Sequence, residues 1–322
     1  MLSEDRPRRS DEVADLDAQA KRRERRRANV DAGIHELERW LDDMVAGGLA
    51  AARQRTHASF DEVAARLVDA QAAGLAGRVR GLSSAVHGGV GWPDRTLAEM
   101  GELHLLIEAW PRIGDLLEPL AAQVRTQIGF PTSRGDVLAG PAWSDRWDVL
   151  AAVVVENPDL TSRRVWLQGR TVGGWALLLD HVPPGGQFEA GAEVGSSFEA
   201  DLHRYPGAGS HRVLIGERRG ETEAVAGLSG CAIADALVGH ALGVAQNPWV
   251  RQTPMALDSV VPVDGDSWVV ADEEGSALPL VGPCWPLLAL SGGNPVGVFG
   301  EWDGSELLPL SCWADGALVR LV

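Results

Sequence analysis

The chain has 322 residues, 45% of them hydrophobic, and a formal net charge of -16, which bounds it to a globular protein long enough for two ordinary domains with real cores. Lys21 is its only lysine and sits in a charged run with no glycine before it, which excludes a Gly-Lys-Ser/Thr phosphate loop, a Schiff-base lysine and a Ser-x-x-Lys nucleophile. Three widely spaced cysteines, Cys231, Cys284 and Cys312, never pair as Cys-x-x-Cys; they read as reduced core residues rather than a disulfide framework or zinc knuckle.

Residues 1–39 balance ten acidic against ten basic groups, so the whole negative excess falls on residues 40–322. The first 29 residues, nearly free of large apolar groups, read as a charged arm, disordered or a frayed helix. Within it lies a basic run, Lys21, Arg22, Arg23, Arg25, Arg26 and Arg27, interrupted by Glu24. Three readings fit that run: a solvated face, a phosphate contact, or a docking strip for an acidic partner. It lacks interleaved aromatics, which argues against sequence-reading of nucleic acid.

From Val30 the pattern becomes helical: Val30, Ile34, Leu37, Leu41, Met44, Val45 and Leu49 recur every three or four positions, and Gly47-Gly48 weakens the end. Ser59 to Glu62 forms a capping box that announces a second helix with Val63, Leu67 and Ala70 on its core face. Further helices are expected over 75–86, from Pro93 through Leu97, Met100, Leu103, Leu106, Ile107 and Trp110, and over 116–128, ended by Gly129 and Pro131. Residues 30–130 thus read as an antiparallel helical bundle.

Residues 131–146, rich in Pro, Gly and Ser, read as a linker. Beyond it strands are expected near 147–155, 163–169, 174–181, 198–205 and 211–217, then one helix over 229–246 with Ile233, Leu237, Val238, Leu242 and Val244 mostly on one side. A last β run follows near 258–263, 267–272, 277–281, 286–291, 296–302, 306–311 and 316–322, with Asp-Gly hairpin signals at 264, 303 and 315. The fold class is α+β: a helical bundle followed by a mainly antiparallel β-rich domain over 147–322 with one inserted helix.

Chemistry-bearing motifs are few. Gly227-Leu228-Ser229-Gly230-Cys231 approaches a nucleophile elbow, but Cys231 replaces the last glycine, no strong strand precedes it, and Ser229 sits where a helix N-cap is wanted. Leu290 to Asn294 is like the signature loop of transporter ATPases, with no phosphate loop for it to complete. Asp264, Asp266, Asp272, Glu273 and Glu274 could offer oxygens to a hard cation, yet calcium-loop spacing is absent and hairpin turns explain them. Glu301 and Asp303 alternate about Trp302 and could share a sheet face as an acid/base pair. With no catalytic, cofactor or metal site read from these residues, the seven acids 264, 266, 272, 273, 274, 301 and 303 stand instead as a candidate acidic partner surface. Between Arg251 and Arg320 there is no Lys or Arg against ten Asp and Glu, which disfavours phosphate backbones as partners. No apolar run is long enough for a membrane span, and the cytoplasm is the expected compartment.

Several stretches resemble one family. Ile34 to Leu49 (IHELERWLDDMVAGGL), Val63 to Leu75 (VAARLVDAQAAGL), Trp92 to Trp110, Arg146 to Leu150, Arg163 to Leu167, Tyr205-Pro206-Gly207 and Leu290 to Leu310 are together similar to the long C-terminal region of bacterial SWIM zinc-finger proteins. Neither the Cys-x-Cys nor the Cys-x-His of that finger occurs in this chain, so no zinc ligand carries over. The resemblance implies a bacterial protein partnered by a MoxR-type AAA+ ATPase or a von Willebrand A-type protein. The function expected is a non-enzymatic protein-interaction module; the alternative is a nucleic-acid-associated accessory acting with a SWIM finger supplied elsewhere, and a hydrolase using Ser229 or Glu301 and Asp303 ranks third. A continuous stripe joining Arg53, Arg55, Arg66, Arg78 and Arg80 to the basic run would favour nucleic acid; scattered arginines would favour a protein partner.

Overall fold

A computed structural model describes residues 6–156, 160–188 and 191–322, and the chain divides into two compact units, Met1–Pro131 and Thr132–Val322. The first unit holds α1 (Arg6–Gln54), α2 (His57–Asp69), α3 (Ala73–Val86), α4 (Trp92–Ala109) and α5 (Glu118–Ile128). α1 buries Val30, Ile34, Leu37, Leu41 and Met44, the spacing of a single helix face. Its helical geometry breaks at Gly48, whose φ of 77° a side chain would strain.

Of the two states expected of the arm, disorder or a frayed helix, the structure has a helix, from Arg6 onward. Arg26 gives one physical reason: its guanidinium lies 4.2 Å from the centre of the Phe130 ring and donates to Gly129 O at 3.1 Å, which anchors this stretch to the end of α5. Two residues counted as core, Val45 and Leu97, are 64% and 55% exposed, because the apolar stripe is narrower than the apolar residues available to it. The cap of α2 is Thr56, whose hydroxyl accepts from Ser59 N at 3.4 Å, so the helix begins before the Ser59 box.

α3 is the central helix and packs on each of the other four. Gly74 makes that possible: a Cβ there would lie 2.8 Å from Ile128 C of α5, and a Cβ at Gly129 would lie 2.7 Å from Gly74 N. Arg78 of the same helix, only 8% exposed, donates twice to Gln127 Oε1 and pairs with Glu102, which binds α3 to α5 and α4.

The second unit opens on α6 (Arg134–Leu138), capped by Ser133, and then β1 (Ala142–Glu156), so the expected linker 131–146 is largely ordered structure. β2 (Thr161–Gly169), β3 (Trp175–Val182), β4 (Ser196–Arg204) and β5 (Val213–Ala224) complete a five-stranded antiparallel sheet in the order β3-β2-β1-β4-β5. β1 is long enough to serve two neighbours: its first half pairs with β4, its second with β2, and a register shift at Val149/Ala151 bends it between them. The sheet's edges meet through a parallel bridge, Leu177 to Arg212, with Leu177 N donating to His211 O at 2.7 Å.

α7 (Ile233–Gln246) leads into β6 (Thr253–Asp264), β7 (Trp268–Asp272), β8 (Ala277–Pro279), α8 (Cys284–Ser291), β9 (Val296–Trp302), β10 (Leu307–Ala314) and β11 (Ala317–Arg320). This sheet runs β11-β10-β9-β6-β7-β8 and its far side closes through a parallel bridge from Leu280 to Leu307. Strand for strand, β6 to β10 repeat β1 to β5: a three-strand meander, a fourth strand beside the first, a fifth beside the fourth, and a parallel closure of third on fifth. Each is a five-stranded Greek-key barrel with the strand order of an OB fold. The strand expected at 286–291 is α8, which takes the place between third and fourth strands; an apolar run without alternation fits either state, and Pro286 in the first turn suits a helix.

Trp147, Val149, Val165, Leu167, Phe198 and Leu202 fill the first barrel. Met255, Leu257, Val270, Leu287, Val298 and Cys312 contribute to the second core. A third cluster, Leu150, Ala151, Trp166, Ala256, Phe299 and Leu310, joins the two barrels. Among the described residues no helix is long and apolar enough to cross a membrane.

Candidate functional site

The basic run does not act as one patch. Lys21, Arg22, Arg23, Arg25 and Arg27 are exposed, but Arg26 is held by Gly129 O and Phe130, and Arg27 lies 5.8 Å from the Trp110 ring centre. The wider arginine stripe is interrupted as well. Arg66 pairs with Glu36 at 2.7 Å, Arg80 with Asp61 at 3.6 Å, Arg53 stacks over Trp92 and Arg78 is buried against Glu102.

The seven acidic candidates separate by environment. Asp264, Asp266, Glu273, Glu274 and Asp303 are exposed. Asp272 is half-buried and occupied: Oδ2 accepts from Ile233 N at 3.2 Å and Oδ1 from Ser276 N at 2.9 Å. It therefore caps the N-terminus of α7 from β7, the task assigned to Ser229 from sequence; the helix in fact starts four residues later, after Ala232. Glu301 is removed from the partner surface altogether. It is 3% exposed and accepts from Arg164 Nε at 3.1 Å, Arg164 Nη2 at 2.8 Å and Trp166 Nε1 at 2.7 Å. Buried charge requires such pairing, and with all three donors spent on it Glu301 is not poised beside Asp303 as an acid/base pair. Asp303 itself organises the β9–β10 turn by accepting from Ser305 N, Ser305 Oγ and Glu306 N, each at 2.8 Å. Burial pushes its pKa up, but those donors outweigh it and leave the pKa below 3.8. Among the described residues no three of His, Cys, Asp and Glu gather as metal ligands would.

Ser229, Cys231 and His240 do meet, in a cleft of about 470 Å³ between α7, β6 and the Trp175 and His211 side of the first barrel. Their chemistry is quiet. The Cys231 thiol is pushed above 9.0 by burial and then by the carboxylates of Asp235 and Asp258, so it stays protonated at neutral pH and is a poor nucleophile. Ser229 lends its carbonyl to Gln168 Nε2 at 2.8 Å, and His240 Nδ1 lies 2.8 Å from Thr253 Oγ1.

What sequence reasoning did not foresee is the surface of α7. Ile233 and Ala236 are its buried residues, whereas Val238 and Leu242, expected mostly on one side with Ile233, are 58% and 61% exposed. With Ala234, Ala241 and Ala245, also exposed, they follow the i, i+4, i+7, i+8, i+11 spacing of one helix face. Asp235 is the one charged residue in the whole helix. A nearly uncharged helix reads as buried, so composition could not reveal that half of it faces solvent.

No curated protein and no solved structure matches the chain. A family model does: residues 25–128 match the SWIM-associated four-helix bundle domain, and the match ends with α5, short of both barrels. The helical unit of this chain therefore resembles the SWIM-associated four-helix bundle domain.

Proposed function

We propose that the chain is a non-enzymatic protein-interaction module that uses the open face of α7 to hold an apolar helix flanked by basic residues on a partner protein. The carrying observation is the exposed stripe Ala234, Val238, Ala241, Leu242 and Ala245 on a 14-residue helix with one charge. Small residues let a second helix approach closely, and Val238 and Leu242 supply the apolar anchors. The partner's charge follows from the surroundings: Asp235 lies on α7 and residues 252–319 hold no Lys or Arg. An acidic border favours basic flanks and rejects acidic ones. A MoxR-type ATPase or a von Willebrand A-type protein, the partners implied by the SWIM resemblance, is the first to try.

Strand order alone would also suit a nucleic-acid reader, but fold is not function and the faces argue otherwise. β7 and β8 carry no cation, and on β2 Arg163 and Arg164 are spent on Asp180 and Glu301. The interrupted arginine stripe of the helical unit supports the same choice.

A photo-crosslinking residue at Val238, with one at the 99% exposed Val90 as control, tests this in the native cell. Val238 should capture a second polypeptide that Val90 does not. With both proteins purified, V238D/L242D should weaken the complex about tenfold or more, as loss of central anchors does. Capture of a second copy of this chain alone, unchanged affinity in the double variant, or micromolar binding of an oligonucleotide at about 0.15 M salt would each overturn the reading.

A further inference from the structure

At the end of the first barrel, where the β2–β3 hairpin meets the start of β1 and the end of β4, lies a second cleft of about 500 Å³. Pro141, Ala142, Trp143 and Val172 give it apolar walls, Gly173 and Gly174 form one edge, and Arg204 is its single charged group. The Arg204 guanidinium sits 3.6 Å from the centre of the Trp143 ring, a cation–π contact that holds the cation at the cleft. Trp143 is in turn wedged against Trp147, edge to face at 4.4 Å. Gly174 has a φ of 85°, and a Cβ there would lie 3.2 Å from the Trp143 ring, so the cleft's edge is built around that indole.

Most arginines of these strands are occupied, Arg218 by donating to Gly191 O and Thr222 Oγ1. Arg146, Arg163, Arg164, Arg170 and Arg219 each meet an Asp or Glu within 3.1 Å. Arg204 has no carboxylate partner among the described residues. The nearby candidate, Asp145, is already committed: it accepts from Arg146 N, Thr171 N and Val172 N at 2.8 to 3.1 Å, and so holds the hairpin that walls the cleft. A fixed, unpaired guanidinium in an apolar cleft at a barrel mouth is the arrangement of a ligand site.

We infer that this cleft binds a carboxylate carried on a small apolar body, with Arg204 taking the carboxylate and Pro141, Ala142 and Val172 the body. A planar carboxylate matches the guanidinium fork through two parallel hydrogen bonds. One cation in a strongly acidic chain suits one negative charge and repels a polyanion. Two sources share this chemistry, a free carboxylic acid and the C-terminus of a peptide.

The test titrates the full chain with benzoate, with benzyl alcohol and benzylamine as neutral and cationic controls, while following the Trp143 indole N–H resonance. A tetrapeptide ending in Val is added in free-acid and amidated forms. Saturable shifts with benzoate or with the free-acid peptide, absent with their uncharged or cationic counterparts, are the expected result, and which of the two binds more tightly identifies the source. Arg204→Gln should cut the affinity about tenfold or more, the scale of one lost charge-assisted pair. Arg204 is exposed, so that variant should keep its fold. Val172→Asp is the second variant: Val172 is 65% exposed, so the fold should stay intact with Arg204 in place, and the added negative charge on the cleft wall should weaken benzoate binding. No saturable shift, equal binding of benzylamine, or unchanged affinity in Arg204→Gln would overturn the assignment.

Discussion

Arg164 on β2 closes with Nε and Nη2 on both oxygens of Glu301 on β9, a residue 137 positions further along, and so links the first barrel to the second inside the apolar cluster they share. Trp166 Nε1 adds a third donor to the same carboxylate. Removing one member of a buried pair leaves the other charge stranded, which costs about 3–5 kcal/mol, whereas replacing both with apolar groups of similar volume is often neutral. Glu301→Ala should therefore lower the local stability of β2 and β9 by about that amount, read by hydrogen exchange at their amides, while Arg164→Met with Glu301→Leu should recover most of it. A single-variant loss below about 1 kcal/mol would mean the pair behaves as an exposed one.

Three glycines of α3 should respond to alanine with opposite signs. At Gly77 and Gly81 a Cβ would meet nothing within 4 Å, so Gly→Ala removes backbone freedom from the unfolded chain at no steric cost and should stabilise by about 0.4–1 kcal/mol. At Gly74 the same Cβ would press on the α5 backbone near Ile128, and neither helix can yield without disturbing the Arg78 network. Overpacking there should destabilise by about 1–3 kcal/mol despite the gain in helix propensity. Thermal unfolding followed in the far ultraviolet separates the cases; a Gly74→Ala Tm at or above that of the parent would disprove close approach of α3 to α5.

The parts of this architecture legible in the sequence are those that depend on period and punctuation. Helices α2 to α5 follow from their apolar spacing, and the Asp-Gly turns mark β6–β7, β9–β10 and β10–β11. Those that were missed depend on partners remote in sequence. Asp272 replaces Ser229 as the cap of α7 because β7 delivers a carboxylate to Ile233 N across 39 positions. Glu301 and Asp303 look equivalent as letters, yet one is buried under Arg164 and the other holds a surface turn. The apolar spacing of α7 groups Val238 and Leu242 with Ile233, and nothing local shows that Ile233 and Ala236 alone meet the β6 core. Nothing local pairs Arg204 with Trp143, 61 residues away.

The remaining prediction concerns acid. His211, packed against Trp166 and with its backbone carbonyl accepting from Leu177 N at the barrel closure, has its pKa pushed below 6.5, first by burial and then by the charge of Arg204, with the backbone hydrogen bond at Trp175 acting the other way. The sign is fixed by proton counting: below pH 6.5 the unfolded imidazole takes a proton that the folded one refuses, so the unfolded state binds more protons and stability falls as pH falls. The loss begins near 6.5 and ends once pH passes the lower folded value. His240, also pushed below 6.5 by burial though Asp303 opposes the shift, adds to the same window. Asp303 acts elsewhere: its lowered pKa contributes stability that is present above about 3.8 and is lost as pH drops further. Unfolding free energy measured between pH 7.5 and about 5 should therefore decline, by no more than about 1.4 kcal/mol per pH unit for each histidine. In His211→Gln the slope over that range should be shallower than in the parent, and an identical slope would show that His211 binds its proton equally well folded and unfolded.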